Sequence, residues 1–170
     1  MRGISERGKA ALAAAAEHED DIVRFLREMI AIPAESLDEG DRCRRVRAEY
    51  DRLGFDEVRF DRLGNVLARI GEGPLTILMD GHIDCVGVGD PDAWDHDPFE
   101  GKLEDGKVWG RGAVDELAAV ACMAYGRGGA RGWGWAEGVC VGGGAGGRAG
   151  CCEGGCVGGG GAGGGGGAGG

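Results

Sequence analysis

Of the 39 glycines in this 170-residue chain, 24 fall in the last 44 residues, from Arg127 onward. That break limits what the chain can fold into more than any other feature. Glycine loses more backbone freedom on ordering than any other residue and brings no side chain to a core. Residues 127–170 show no apolar periodicity, so they are expected to form a disordered glycine-rich tail. The foldable part is then residues 1–126, room for one domain. The change after Tyr125-Gly126 is abrupt, into Gly, Ala, Arg, Cys and Trp, whose codons are GC-rich. It suggests a GC-rich gene read in a shifted frame, against the alternative of a genuine flexible extension. A second frame downstream of codon 126 that restores an ordinary α/β sequence would decide for the first, and its absence for the second.

The chain carries a net charge of -10, and the tail sets three arginines against two glutamates, so residues 1–126 hold -11. Charge of that sign argues against nucleic acid and anionic membrane surfaces as partners, because phosphates are repelled. Of the seven cysteines, Cys43, Cys85 and Cys122 are widely spaced in the body, and Cys140, Cys151, Cys152 and Cys156 lie in the tail. An odd count without framework spacing reads as a reducing compartment. The alanine-rich run Ala10 to Ala16 meets Glu17, His18, Glu19 and Asp20 at once. Nothing reaches the ~20 apolar residues that span a bilayer. A cytoplasmic protein without a membrane partner is expected.

Local patterning predicts an α/β chain. Residues Ser5 to Ile30 are rich in helix formers, with Ile22, Phe25, Leu26, Met29 and Ile30 at helical spacing, and Pro33 ends the helix. A second helix is predicted over Glu39 to Leu53, with Val46, Tyr50 and Leu53 as its stripe and Gly54 as its cap. Strands are predicted at Asp56 to Asp61, Val66 to Ile70 and Leu75 to Met79. The near-continuous apolar run of the last suggests burial on both faces. Asp105-Gly106 between Leu103 and Val108-Trp109 is a favoured hairpin turn. A last helix is predicted from Glu116 to Tyr125, which completes an α/β sandwich.

The chemistry lies in two short segments. Met79-Asp80-Gly81-His82-Ile83-Asp84 places a His-x-Asp just past a buried strand, where ligands of open α/β sheets sit. Imidazole suits zinc, and a nearby carboxylate can fix the tautomer of a ligating histidine. A hydrogen-bonded loop histidine would carry the same pattern. Gly110-Arg111-Gly112-Ala113-Val114-Asp115 places an aspartate after a flexible turn and before a helix. Its two oxygens could bridge two metal ions, or it could simply cap the helix.

Joined by Trp94-Asp95-His96-Asp97-Pro98-Phe99 and Asp105-Gly106-Lys107-Val108-Trp109, these segments make a specific pattern. It resembles the zinc metallopeptidase and amidohydrolase family of acetylornithine deacetylase, succinyl-diaminopimelate desuccinylase, aminoacylase and glutamate carboxypeptidase. The likeness runs from about Ile22 to Tyr125 and is densest from Leu75 to Asp115. The wording Met79 to Gly87, with Trp94 and Asp97 to Gly101, is similar to a branch described as a selenium-metabolism-linked hydrolase.

The resemblance implies the N-terminal part of a three-layer sandwich of the zinc peptidase catalytic-domain type. It implies that His82 binds one zinc, that Asp84 orients His82, and that Asp115 bridges two zincs, often with a cis peptide bond after it. Zn2+ is the implied cofactor, and Co2+ or Mn2+ can share such ligands. Two ions about 3.5–4 Å apart would polarise an amide carbonyl and lower the pKa of a bridging water. A glutamate would move the water proton to the leaving amine. The substrate would be a small amide or peptide.

Departures from the pattern matter equally. The family usually has threonine at Cys85, read here as a packing residue. The family's Glu-Glu pair should follow Asp115 by some tens of residues, but only Glu137 and Glu153 occur there, each isolated among glycines. No histidine follows His96, and the smaller inserted domain through which the family often dimerises has no sequence here. The chain is therefore expected to be an incomplete, inactive piece of a dizinc hydrolase. The alternative is a non-catalytic interaction protein that retains the fold core. His18 is expected at the surface and His96 in a solvated loop. Arg111 is expected to orient the loop before Asp115, and Trp94, Pro98 and Phe99 to pack over the sheet.

Overall fold

The computed structural model describes residues 4–72, 76–126 and 136–142. Helices α1 (Glu6–Ala16) and α2 (Glu19–Ile30) replace the single predicted N-terminal helix. The break falls at Glu17-His18, where His18 leaves helical geometry with φ -106° and ψ 6°. The alanine-rich α1 has little apolar surface to hold it to the body. Helix α2 has more: Phe25, Met29 and Ile30 are fully buried. Three acidic residues in its first turn, Glu19, Asp20 and Asp21, suit the positive end of the helix dipole. His18 is half-buried rather than at the surface, its ring 5.5 Å from that of Tyr125.

Helix α3 (Gly40–Leu53) follows the expected stripe and ends at Gly54, whose φ of 72° is the left-handed cap. Cys43, Val46, Tyr50 and Leu53 turn inward, and each large apolar side chain so buried stabilises the fold by roughly 1.5–3 kcal/mol. Buried Glu49 gathers hydrogen-bond donors from three helices. It accepts from Arg45 and Arg52 of α3, from Arg24 of α2, and from the hydroxyl of Tyr125 at the end of α4 (Ala118–Tyr125).

Strands β1 (Glu57–Phe60) and β2 (Val66–Ile70) form an antiparallel hairpin. Its turn is held by Asp61, which accepts the backbone N–H groups of Leu63 and Asn65. Strand β3 (Thr76–His82) is longer than predicted, and Leu75 lies outside the described residues. Burial on both faces is not observed. Thr76, Leu78 and Asp80 are exposed, whereas Gly81 is buried under α4. Among the described residues helices cover one face only, which leaves Leu78 52% exposed. Strands β4 (Lys102–Glu104) and β5 (Lys107–Trp109) form the expected hairpin, with φ of 51° and 71° at Asp105 and Gly106.

Disorder from residue 127 onward needs correction at one place. Residues Ala136–Gly142 form β6, antiparallel to β2 and parallel to β3, so the sheet order is β1-β2-β6-β3. Val139, Cys140 and Val141 give this stretch the strand preference that the surrounding glycines lack. The other residues of the expected tail lie outside those described. The β3-α4-β6 connection is the helical crossover that parallel neighbours require. It sets His82, the last residue of β3, at the carboxyl edge of the sheet.

Candidate metal centre

Two pieces of chain converge at that edge. The first is the end of β3 and the loop after it, Ile83-Asp84-Cys85. Ile83 and Cys85 are buried, so the loop is pinned at alternate residues. The backbone N–H of Cys85 donates to the carbonyl of Ala34 at 2.8 Å. Fully buried Arg42 donates to the carbonyls of Ile83 and Ile32 and lies 3.1 Å from Cys85 Sγ. Ser36 Oγ donates to Asp84 Oδ2. The segment before α3 thus straps the His-x-Asp loop in place.

The second piece is the irregular turn Ala113–Leu117 between β5 and α4. The predicted helix over Glu116 to Tyr125 begins regularly only at Ala118, because Asp115 and Glu116 leave helical geometry; the peptide between them is cis. Asp115 therefore caps no helix, and its side chain is 87% exposed. Gly112, at φ 80°, starts this turn in van der Waals contact with Cys85, and an added Cβ would run into Cys85 Sγ. Arg111 orients the approach through its N–H to the carbonyl of Pro98 at 2.7 Å and its guanidinium 4.7 Å above the Trp94 ring.

His82 stands between the two pieces. Its Nδ1 lies 3.2 Å from the carbonyl oxygen of Asp84 and 3.3 Å from Asp84 Oδ1. Its Nε2 lies 3.0 Å from Asp115 Oδ1. Burial pulls the imidazole pKa down. The Asp84 carbonyl and the carboxylates of Glu116, Asp115 and Asp84 outweigh it, and the pKa lies above the ordinary histidine value.

Glu116 is a member of this group that the sequence reading passed over. Its Oε1 accepts the backbone N–H of His82 at 2.8 Å, and its Oε2 lies 4.0 Å from His82 Nε2. One ligand atom each from His82, Asp115 and Glu116 fall within 4.8 Å of one another, a donor set that fits one divalent cation. The available signal was an acidic residue directly after Asp115. Ser36 and Arg42 carried no local signal, because their approach depends on the tertiary fold.

His96 stands elsewhere. Half-buried, it packs edge-on against Trp109 at 5.6 Å and faces Lys102 and Glu104 on the β4–β5 hairpin. Pro98 is buried and Trp94 is tied through its ring N–H to the carbonyl of Val88 at 2.9 Å.

Residues 78–126 match the family described as peptidase family M20/M25/M40. The chain is 45% identical over 117 residues to the protein YgeY of Escherichia coli K12, covering 69% of this chain and 29% of YgeY. It is 36% identical over 102 residues to a succinyl-diaminopimelate desuccinylase of Methylorubrum extorquens, covering 56% of this chain and 26% of that protein. It thus spans under a third of the length of these relatives. The di-peptidase Dug1p of Saccharomyces cerevisiae shares the fold with a TM-score of 0.69 at 20% identity, over 79% of this chain and 34% of Dug1p. YxeP of Bacillus subtilis, described as a dinuclear metal-binding peptidase of the M20 family, aligns with a TM-score of 0.50 at 16% identity, over 72% of this chain and 34% of YxeP. The α/β architecture is thus that of the M20 peptidase catalytic domain, and the chain belongs to the M20 family of hydrolases.

Proposed function

We propose that this chain carries one half of the metal site of an amide- or peptide-cleaving hydrolase, with His82 and Asp115 as ligands and Asp84 orienting His82. The observation that carries this reading is the 3.0 Å approach of His82 Nε2 to Asp115 Oδ1 while Nδ1 faces Asp84. With Nδ1 facing Asp84, release of the Nε2 proton now directed at Asp115 would free that lone pair for a metal. Zinc is the first choice for this donor set, with cobalt or manganese as substitutes. Two such ions, when bound, would supply Lewis acidity toward an amide carbonyl and an activated water. In that chemistry Asp84 would hold the tautomer of His82, and the carboxylate of Asp115 would help hold the metal.

The described residues bring together donors for one ion. The sequence carries no histidine after His96 and no Glu-Glu pair after Asp115. We therefore assign the 170-residue chain metal binding without turnover. Its substrate class in a complete site is a small amide or peptide. No described helix is long and apolar enough to cross a membrane. A reducing, cytoplasmic setting is proposed from cysteine usage, an odd count without framework spacing.

Hydrolysis of N-acyl amino acids by the purified chain with added zinc tests the assignment. The expected rate equals that of zinc alone. Turnover that disappears in Asp115→Asn would refute the missing-donor account while keeping the hydrolase, and a chain that binds no zinc would refute the metal site itself.

A further inference from the structure

We propose that Glu116 is a third protein ligand, which turns the His82–Asp115 pair into a self-sufficient site for one divalent cation. The inference rests on the metal-site reading above and goes beyond it in the donor count. Two protein donors hold zinc poorly, whereas three are the usual complement of an open site that keeps a position for water.

The geometry around Glu116 favours ligation over a purely structural role. Its two oxygens have separate tasks. Oε1 is fixed by the backbone N–H of His82 at 2.8 Å, so the carboxylate is anchored to the same residue that supplies the imidazole. Oε2 is left on the side of His82 Nε2, 4.0 Å away, where Asp115 Oδ1 also stands at 3.0 Å from Nε2. The three donor atoms lie within 4.8 Å of one another. Ligand atoms about 2.0–2.2 Å from a zinc ion are separated by less than this, so small rotations of the side chains close the set.

The backbone makes room for this arrangement. A Cβ on Gly81 would stand 2.6 Å from Glu116 Oε1, so the bare backbone at this position lets the carboxylate settle on the end of β3. Asp115 and Glu116 are adjacent in sequence, yet their side chains reach the same imidazole, because neither is in helical geometry. The result is an imidazole with two carboxylates, a hard and borderline donor mixture suited to Zn2+, Co2+ or Mn2+. Exposure falls from 87% at Asp115 through 46% at His82 to 31% at Glu116, which places Glu116 on the protein side and the open positions toward solvent.

Titration of the 170-residue chain with Zn2+ by calorimetry, and with Co2+ by visible absorption, tests the proposal. Glu116→Gln is the informative variant, because its amide oxygen can still accept the His82 N–H while the charged ligand is lost. Circular dichroism melts check that the variant is folded. The expected result is one equivalent in the parent chain, affinity lowered about tenfold or more in Glu116→Gln, and a changed Co2+ spectrum. Unchanged affinity and spectrum in Glu116→Gln, with binding abolished in His82→Ala and Asp115→Asn, would overturn the third ligand and leave the metal-site reading standing. Absence of binding in the parent chain would overturn both. If Glu116→Gln melts early, Glu116→Asp serves instead: a shorter carboxylate keeps the charge, and the proposal requires an altered Co2+ spectrum, against an unaltered one.

Discussion

Arg42 shows how much of the site depends on a residue that touches no expected ligand. Its guanidinium is fully buried and donates to the carbonyls of Ile83 and Ile32, and no carboxylate is among its hydrogen-bond partners in the described residues. Its Nε has no partner among those residues. Lysine at this position keeps the buried charge but cannot span two carbonyls in a planar fork. Arg42→Lys is therefore expected to lower stability by about 1–3 kcal/mol, the cost of leaving a buried acceptor unpaired. Chemical denaturation reads this directly, and an unchanged midpoint would show that the loop is held by other means. At this scale the sequence was informative where chemistry is carried by residue type. His82, Asp84 and Asp115 stood out as a pattern, and the structure brings all three together. Ser36, Arg42 and Glu116 did not stand out, because their roles come from approach across 48, 41 and 34 residues of chain.

The helices are tied to one another at Glu49. Burial alone would raise its pKa, but Arg52, Tyr125 and Arg45 overcome that and bring it from 4.5 to about 2. A carboxyl held below its unfolded value contributes stability that is complete above pH 4.5 and is lost as pH falls toward 2. Wild-type stability is thus expected to decline through that window, and Glu49→Gln to be weaker at pH 7 with a flatter acid limb. Equal slopes in urea melts across this range would contradict the network. The same hydrogen bond and burial push the Tyr125 hydroxyl up to about 12, burial being the larger cause. Helix α3 and the β4–β5 hairpin were legible from stripe, cap and turn residues, which are local signals. The break between α1 and α2 was not, because alanine continues a helix whether or not it packs. The exposed face of β3 was not legible either, since an apolar run records what a strand can bury, not what covers it.

The whole molecule depends on a strand drawn from the glycine-rich segment. β6 lies between β2 and β3, paired with both. Without it the β1–β2 hairpin and β3 share no ladder, and two unpaired edges face solvent. A chain cut after Gly126 is expected to lose cooperative melting and to aggregate in size-exclusion chromatography. A cut chain that melts like the parent would show that residues 1–126 are self-contained, as composition alone suggested. The sheet matters to the proposed metal site because it carries His82 at the end of β3, opposite the turn that carries Asp115. The most direct measurement is calorimetric titration of Zn2+ into the 170-residue chain and into its His82→Ala, Asp115→Asn double variant, both checked for folding. One equivalent bound by the parent and none by the double variant is the result expected of an M20 half-site. Equal binding by both, or none by either, would contradict it.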